Sequence, residues 1–174
     1  MSKQITAKRK LPSIIRWILW VLLVQFVLIN ISASFYAYRL THFYDDASVN
    51  TSPGTGNIFT KTWKLFTGPR LARLKITDRP VFAFETVTLT TASGLKIEAW
   101  YGKPDSVAKG TVILFRGVTI NKSRLLDEAY EFRYWGYNVM LLDYRAHGNS
   151  EGNTTTLGVR ESEEVKLAYD YVTQ

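Results

Sequence analysis

The stretch GTVILFRGVTINKSRLLDEAYEFRYWGYNVMLLDYRAHGNSEG, Gly110–Gly152, decides the fold. Within it, Thr111–Phe115 and Val139–Leu142 are short, almost wholly apolar runs, the composition of strands covered on both faces. Between them Leu125, Ala129 and Phe132 recur at i, i+4 and i+7, with Leu126 widening the stripe. That is one buried face of a helix. Ser123 or Asn121 is placed to cap its start, and Gly136 to end it in the left-handed conformation. Strand, helix and strand at this spacing form a βαβ unit with a right-handed crossover.

Working outward, the pattern upstream changes to period two. From Phe84, Val87 and Leu89 alternate with Thr86, Thr88 and Thr90, and β-branched Thr favours a strand. Thr91-Ala92-Ser93-Gly94 is a tight turn, after which Leu95, Ile97, Ala99 and Tyr101 share one face of a second strand. An antiparallel hairpin with one buried side therefore feeds the βαβ unit through Gly102–Gly110. Downstream, a last helix is predicted from about Gly158, with Val165, Ala168 and Val172 on its buried face. Glu161, Glu163 and Glu164 lie near its positive N-terminal end. The fold class is α/β: an incomplete sheet with a central strand left as an edge, and no internal repeat.

Two motifs carry a family resemblance. Arg116-Gly117 closes a strand, and one βαβ unit later comes GYNV followed by Asp143-Tyr144-Arg145-Ala146-His147-Gly148-Asn149-Ser150. This resembles the HG and GYNVxxxDYRGHGxSxG pattern of the α/β-hydrolases, most of all their serine-aminopeptidase and lysophospholipase-like branch. It spans roughly Phe84 to Tyr171, with Arg116 in place of His and Ala146 in place of Gly. The resemblance implies the front half of an α/β-hydrolase sheet, reaching to where the family's nucleophile strand begins. It implies that Val118, after the HG place, offers its backbone N–H to an oxyanion, with Arg116 and Gly117 shaping the turn. It also makes Asp143, Arg145, His147, Gly148 and Ser150 a structural loop motif. The implied protein is a serine hydrolase acting on a small ester, lipid or peptide, of which this chain is an N-terminal part without a catalytic triad. A non-catalytic binding or scaffold relative is the alternative.

The residues themselves point the same way. Gly148-Asn149-Ser150-Glu151-Gly152 spells G-x-S-x-G, but a nucleophile elbow sets its Ser on a sharp turn directly between strand and helix. Here the strand ends near Leu142 and Ser150 sits well into a loop, so the string is a decoy. Asp143, at a strand's C-terminal end, is expected to accept backbone N–H bonds and pin its own loop, with Arg145 as partner. For His147 the sequence shows neither an acid nor a nucleophile to complete a triad. At Gly117 the chain is expected to turn sharply, using glycine's freedom. Gly117–Ser123 is loosely like a P-loop, yet it lacks the second glycine and is one residue short. Nucleotide binding is set aside.

Composition bounds the rest. With no Cys and only His42 and His147, neither disulfides nor a thiolate or His-rich metal site is available, and no cofactor is expected. The net charge of +7 is concentrated in Lys3, Lys8, Arg9, Lys10 and Arg16, which leave 17 positive against 15 negative residues elsewhere. Nucleic acid is therefore not an expected partner. Trp17–Tyr38 carries no charge over 22 positions, about 33 Å of helix. Its 12 Leu, Ile, Val and Phe residues supply about −4 to −7 kcal/mol of insertion free energy. The expected organisation is a basic cytoplasmic tail over 1–16, a transmembrane helix over 17–38, a linker over 39–80 and the partial α/β domain over 81–174. The positive-inside rule places that domain outside the cytoplasm. A cleavable signal peptide, with Ser32 and Ser34 before the cut, is the alternative, and the apolar run is long for one. In the linker, NTSPGTGN (Asn50–Asn57) reads as a turn-rich tract, and Asn50-Thr51-Ser52 is a glycosylation sequon. Beyond it Phe59, Trp63 and Phe66 fall at i, i+4 and i+7 among Lys and Arg. That segment is either a basic amphipathic helix resting on headgroups or a solvated linker partly docked on the domain.

Overall fold

A computed structural model describes residues 12–45 and 57–174. The basic residues Lys3, Lys8, Arg9 and Lys10, the sequon and most of the Asn50–Asn57 tract lie outside the described residues. The elements are α1 (Ser13–Thr41), β1 (Phe43–Tyr44), α2 (Ile58–Thr67), β2 (Leu71–Ala72), β3 (Phe84–Thr90), β4 (Lys96–Gly102), β5 (Thr111–Phe115), a 3₁₀ turn (Lys122–Leu125), α3 (Leu126–Tyr134), β6 (Asn138–Leu142) and α4 (Glu161–Val172).

The main sheet runs β3-β4-β6-β5, with β4 antiparallel to both β3 and β6, and β5 parallel to β6. Hairpin and βαβ unit are both present, joined by pairing of β4 with β6. The side-chain alternation of β6 splits the core. Met140 and Leu142 join Val87, Leu89, Ile97, Ala99 and Ala168 on the α4 face. Val139 and Leu141 face the other way, onto Leu125 and Ala129 beside α3. The sheet is thus a middle layer between two helices, and β6 is buried because both its faces and both its edges are covered. β5 was expected to be covered on both faces, but all five of its residues are half-buried; it is the edge that the incomplete sheet was expected to leave, with no strand beside it among the described residues. Gly136, at φ +88°, closes α3 in the left-handed region as its sequence position requires. Asn121 caps the turn before α3: its Oδ1 accepts from the Ser123 N–H at 3.1 Å and from the Ser123 hydroxyl at 2.7 Å.

The N-terminal helix α1 is longer than its charge-free core, 29 residues with mean hydropathy 2.2 over its most apolar window and no residue buried. It is long and apolar enough to cross a membrane. Between α1 and the main sheet lie α2, held at the C-terminal end of α1, and β2, which pairs in parallel with β1. β1 in turn meets the segment before α4: the Phe43 N–H donates to Asn153 O at 2.8 Å, and the Thr155 N–H to Thr41 O at 2.8 Å.

Candidate active site

Two loops leave the same edge of the sheet, at the C-terminal ends of the parallel pair β5 and β6, where open α/β sheets gather ligands. The loop after β6, Asp143–Gly152, is packed solid. Asp143, Arg145, Ala146, His147 and Ser150 are all buried. Ser150 is fully enclosed: its hydroxyl donates to Asp143 O at 2.6 Å and accepts from the Glu98 N–H at 3.0 Å. It is a brace between β6 and β4, with no path for a substrate. Gly148 is needed for space as well as for its φ of +48°, since a Cβ there would lie 1.9 Å from Asp143 Oδ2.

Asp143 does not pair with Arg145, as the sequence suggested. Its partner is Lys122, which is wholly buried. Lys122 Nζ donates to Asp143 Oδ2 at 2.6 Å and to Glu98 Oε1 at 2.8 Å, and lies 4.7 Å from the centre of the Trp100 ring. The Lys122 N–H also donates to Asp143 Oδ1 at 2.6 Å. Asp143 therefore pins the segment after β5 rather than its own loop. Arg145 instead turns to α4. Its guanidinium contacts Glu164 Oε1, its N–H donates to Glu164 Oε2 at 2.9 Å, and Glu163 lies 3.3 Å away. Burial pushes the Glu164 carboxyl up, against the lowering pull of Arg145. Burial would also raise Glu161, but N–H and hydroxyl bonds from Thr156 and the N–H of Gly158 outweigh it and hold Glu161 down at about 2.

The loop after β5 is the opposite. Arg116 reaches only Glu128, at 3.6 Å, with both side chains well exposed. Gly117 has no neighbour within 4 Å of where a Cβ would sit and no positive φ, so the expected glycine-dependent turn is not made there. Thr119 makes it, at φ +71°. Val118 is 41% exposed, and its N–H has no acceptor among the described residues. His147 ties this loop to its neighbour. Its Nε2 accepts from the Thr119 N–H at 3.1 Å while Nδ1 lies 2.9 Å from Arg145 O, which fixes the proton on Nδ1. Tyr144 stacks on Phe115 from the next strand. Burial, then the charges of Glu164 and Glu161, push its phenol up.

Between the loops lies a cleft of about 460 Å³, lined by Val118, Tyr144, His147, Thr155, Leu157 and Val165 among others. Val165, expected on the buried face of α4, is one of its walls. The described residues contain no group of three or more His, Cys, Asp or Glu side chains able to hold a metal ion. Lys122 and Glu98 escaped sequence reading altogether.

No family model matches the chain. Among curated proteins, the uncharacterised protein YqkD of Bacillus subtilis is 32% identical over 77 residues, 44% of this chain and 25% of that protein. Among solved structures, an esterase of Pyrococcus furiosus superposes with a TM-score of 0.51 at 28% identity, over 59% of this chain and 42% of the esterase. An α/β serine hydrolase homologue of Coxiella burnetii reaches a TM-score of 0.43 at 17% identity, over 56% of this chain and 47% of its own. The chain thus spans a quarter to less than half the length of these proteins.

Proposed function

We propose, on the premise that this chain is related over its sheet region to the α/β-hydrolase superfamily, that it is the front part of a membrane-anchored serine hydrolase cleaving ester or peptide bonds. The observation that carries this reading is the unoccupied N–H of Val118. It stands at the C-terminal end of β5, beside a cleft, on a turn held by buried groups on both sides. A tetrahedral intermediate needs such a preorganised donor, and a backbone N–H serves whatever the side chain. His147 and the Lys122–Asp143 pair hold that donor in place and take no part in proton transfer. In this reading the nucleophile lies outside the described residues, on a strand for which the free edge of β5 has room, and its base is carried by a further loop. No serine among the described residues sits on a strand–turn–helix elbow.

In this reading α1 is an uncleaved anchor, and the basic residues before Trp17 keep its start in the cytoplasm. A reporter fused after Gln174 is then active only outside the cytoplasm. The Thr155 N–H, at the cleft, bonds the last residue of α1, so with α1 read as the anchor the cleft lies next to the membrane. Substrates with a lipid-like body suit that position.

The test is fluorophosphonate labelling. The protein made from these residues together with the coding sequence that follows Gln174 is labelled, at a serine in a true strand–turn–helix G-x-S-x-G. The 174-residue chain alone is not labelled. Labelling of the short chain at Ser150, lost in Ser150→Ala, contradicts the reading. A longer coding sequence without an elbow serine hands the chain to the scaffold alternative.

A further inference from the structure

Helix α2 has a second surface with no place in that chemistry. At 100° per residue, Leu65, Ile58, Phe66, Phe59 and Trp63 fall on one arc of roughly 160°, interrupted only by Thr62, while Lys64 falls opposite and Lys61 outside the arc beyond its Leu65 edge. In a docked helix such an arc is the buried one. Here most of it is bare: Ile58 is 74%, Phe59 80%, Trp63 61% and Leu65 73% exposed, and only Phe66 is half-buried. The reason is how α2 meets α1. Contact is made through the end of the helix, by its last carbonyls. The Ser32 hydroxyl donates to Phe66 O at 2.6 Å, the Tyr36 hydroxyl to Leu65 O at 2.6 Å, and the Arg39 guanidinium to Gly68 O at 2.8 Å and the Thr67 hydroxyl at 2.7 Å. These are the orphan acceptors at a helix C-terminus, and a cation sits where the helix dipole favours one. They are satisfied by side chains of the last third of α1. The other end is closed by Asn57, whose side chain accepts from the Thr60 N–H at 3.0 Å. Both ends of α2 are thus tied down by side chains, while Ile58, Phe59, Trp63 and Leu65 are left largely uncovered.

We propose that the occupant of this arc is the lipid bilayer, with α2 lying in the headgroup–acyl boundary beside the point where α1 leaves the membrane. Three observations select lipid over a protein partner. The arc begins at a helix long and apolar enough to span, so, resting on the reading of α1 as the anchor, it continues that helix's lipid-facing surface. Tyr36 and Arg39, which hold α2, are themselves of the type that sits at membrane interfaces. Charge is also complementary to an anionic headgroup layer: from Ala47 to Thr77 there is no Asp or Glu, while Lys61, Lys64, Arg70 and Lys75 are basic. A helix of this kind lies in the interface plane with its apolar face buried. Together with the span, it fixes the domain at two points, so the chain holds one orientation on the membrane instead of swinging on a single tether.

The natural absence of Cys makes the test direct. Single variants Phe59→Cys, Leu65→Cys and Lys61→Cys of the full chain, carrying an environment-sensitive fluorophore, are reconstituted in vesicles of phosphatidylcholine with phosphatidylglycerol. Probes at 59 and 65 are expected to be quenched by nitroxide-labelled acyl chains and to be at least about threefold less accessible to aqueous iodide than the probe at 61. Omitting phosphatidylglycerol, or adding Lys61→Gln and Lys64→Gln to the Phe59→Cys chain, reduces that protection. Two results overturn the proposal. One is equal iodide access at all three sites. The other is protection at 59 and 65 without quenching from the lipid, which assigns the arc to a second copy of the chain or another protein. Two probe sites on the arc guard against one substitution disturbing the helix.

Discussion

The loops after β5 and β6 leave the same edge of the sheet, a strand apart, and are built on opposite terms. The β6 loop is buried, carries Ser150 with both of its hydroxyl's bonds made inside, and spends its ionic groups on α4 and on Lys122. The β5 loop is open, with one long exposed ion pair and an N–H left without a partner. The difference teaches where chemistry can happen. A group whose bonding is complete is structural, however closely its sequence copies a catalytic string. A group held firmly by its neighbours with its own bonding incomplete is available to a ligand. Ser150 is the first kind and Val118 the second.

The contrast breaks most visibly at Lys122. Lys122→Met leaves Asp143 buried without its cation, and a loss of about 3–5 kcal/mol is expected, read from the urea midpoint of the chain in detergent micelles. A loss below about 1 kcal/mol would mean that the pair is not buried as described. Next is Gly148→Ala, whose methyl meets Asp143 Oδ2 at 1.9 Å and should cost about 3 kcal/mol by the same measurement. Glu161 gives a subtler, pH-dependent effect. Its folded value of about 2 lies below the ordinary 4.5, so its contribution is full above pH 4.5 and is lost as pH falls through 2. The stability gap between the natural chain and Glu161→Gln should therefore close between those pH values; a gap that stays constant would deny the depressed carboxylate. Smallest is Arg116→Ala, expected within about 0.5 kcal/mol because its ion pair is long and exposed. A larger change would mean the β5 loop is not open.

Legibility in the sequence followed the range of the interactions. The hairpin, the βαβ unit and α4 were readable because alternation, helical spacing and turn glycines act over a few residues. The left-handed end at Gly136 was readable for the same reason. The partners of the ionic groups were not. Lys122 sits in a polar stretch and reads as solvated, since its burial depends on Asp143 and Glu98, 21 and 24 residues away. Arg145 was matched to the acid nearest in sequence, but its partner Glu164 is brought by a helix 19 residues on. β5 reads from composition as covered on both faces, yet its residues are only half-buried, at the free edge that the incomplete sheet was expected to leave. The left-handed turn was assigned to Gly117, the residue most able to make it, while Thr119 makes it under the hold of His147.

The reading of Val118 as a backbone donor can be isolated from its side chain. In the protein that includes the coding sequence after Gln174, Val118→Ala keeps the N–H and Val118→Pro removes it. The measurement is the rate of acylation by a chromogenic ester, with folding checked by circular dichroism. The account predicts a rate close to the natural protein's for Val118→Ala and a fall of about 10²–10³-fold for Val118→Pro, the usual cost of one oxyanion donor. Equal rates for the two variants, with both folded, would contradict it.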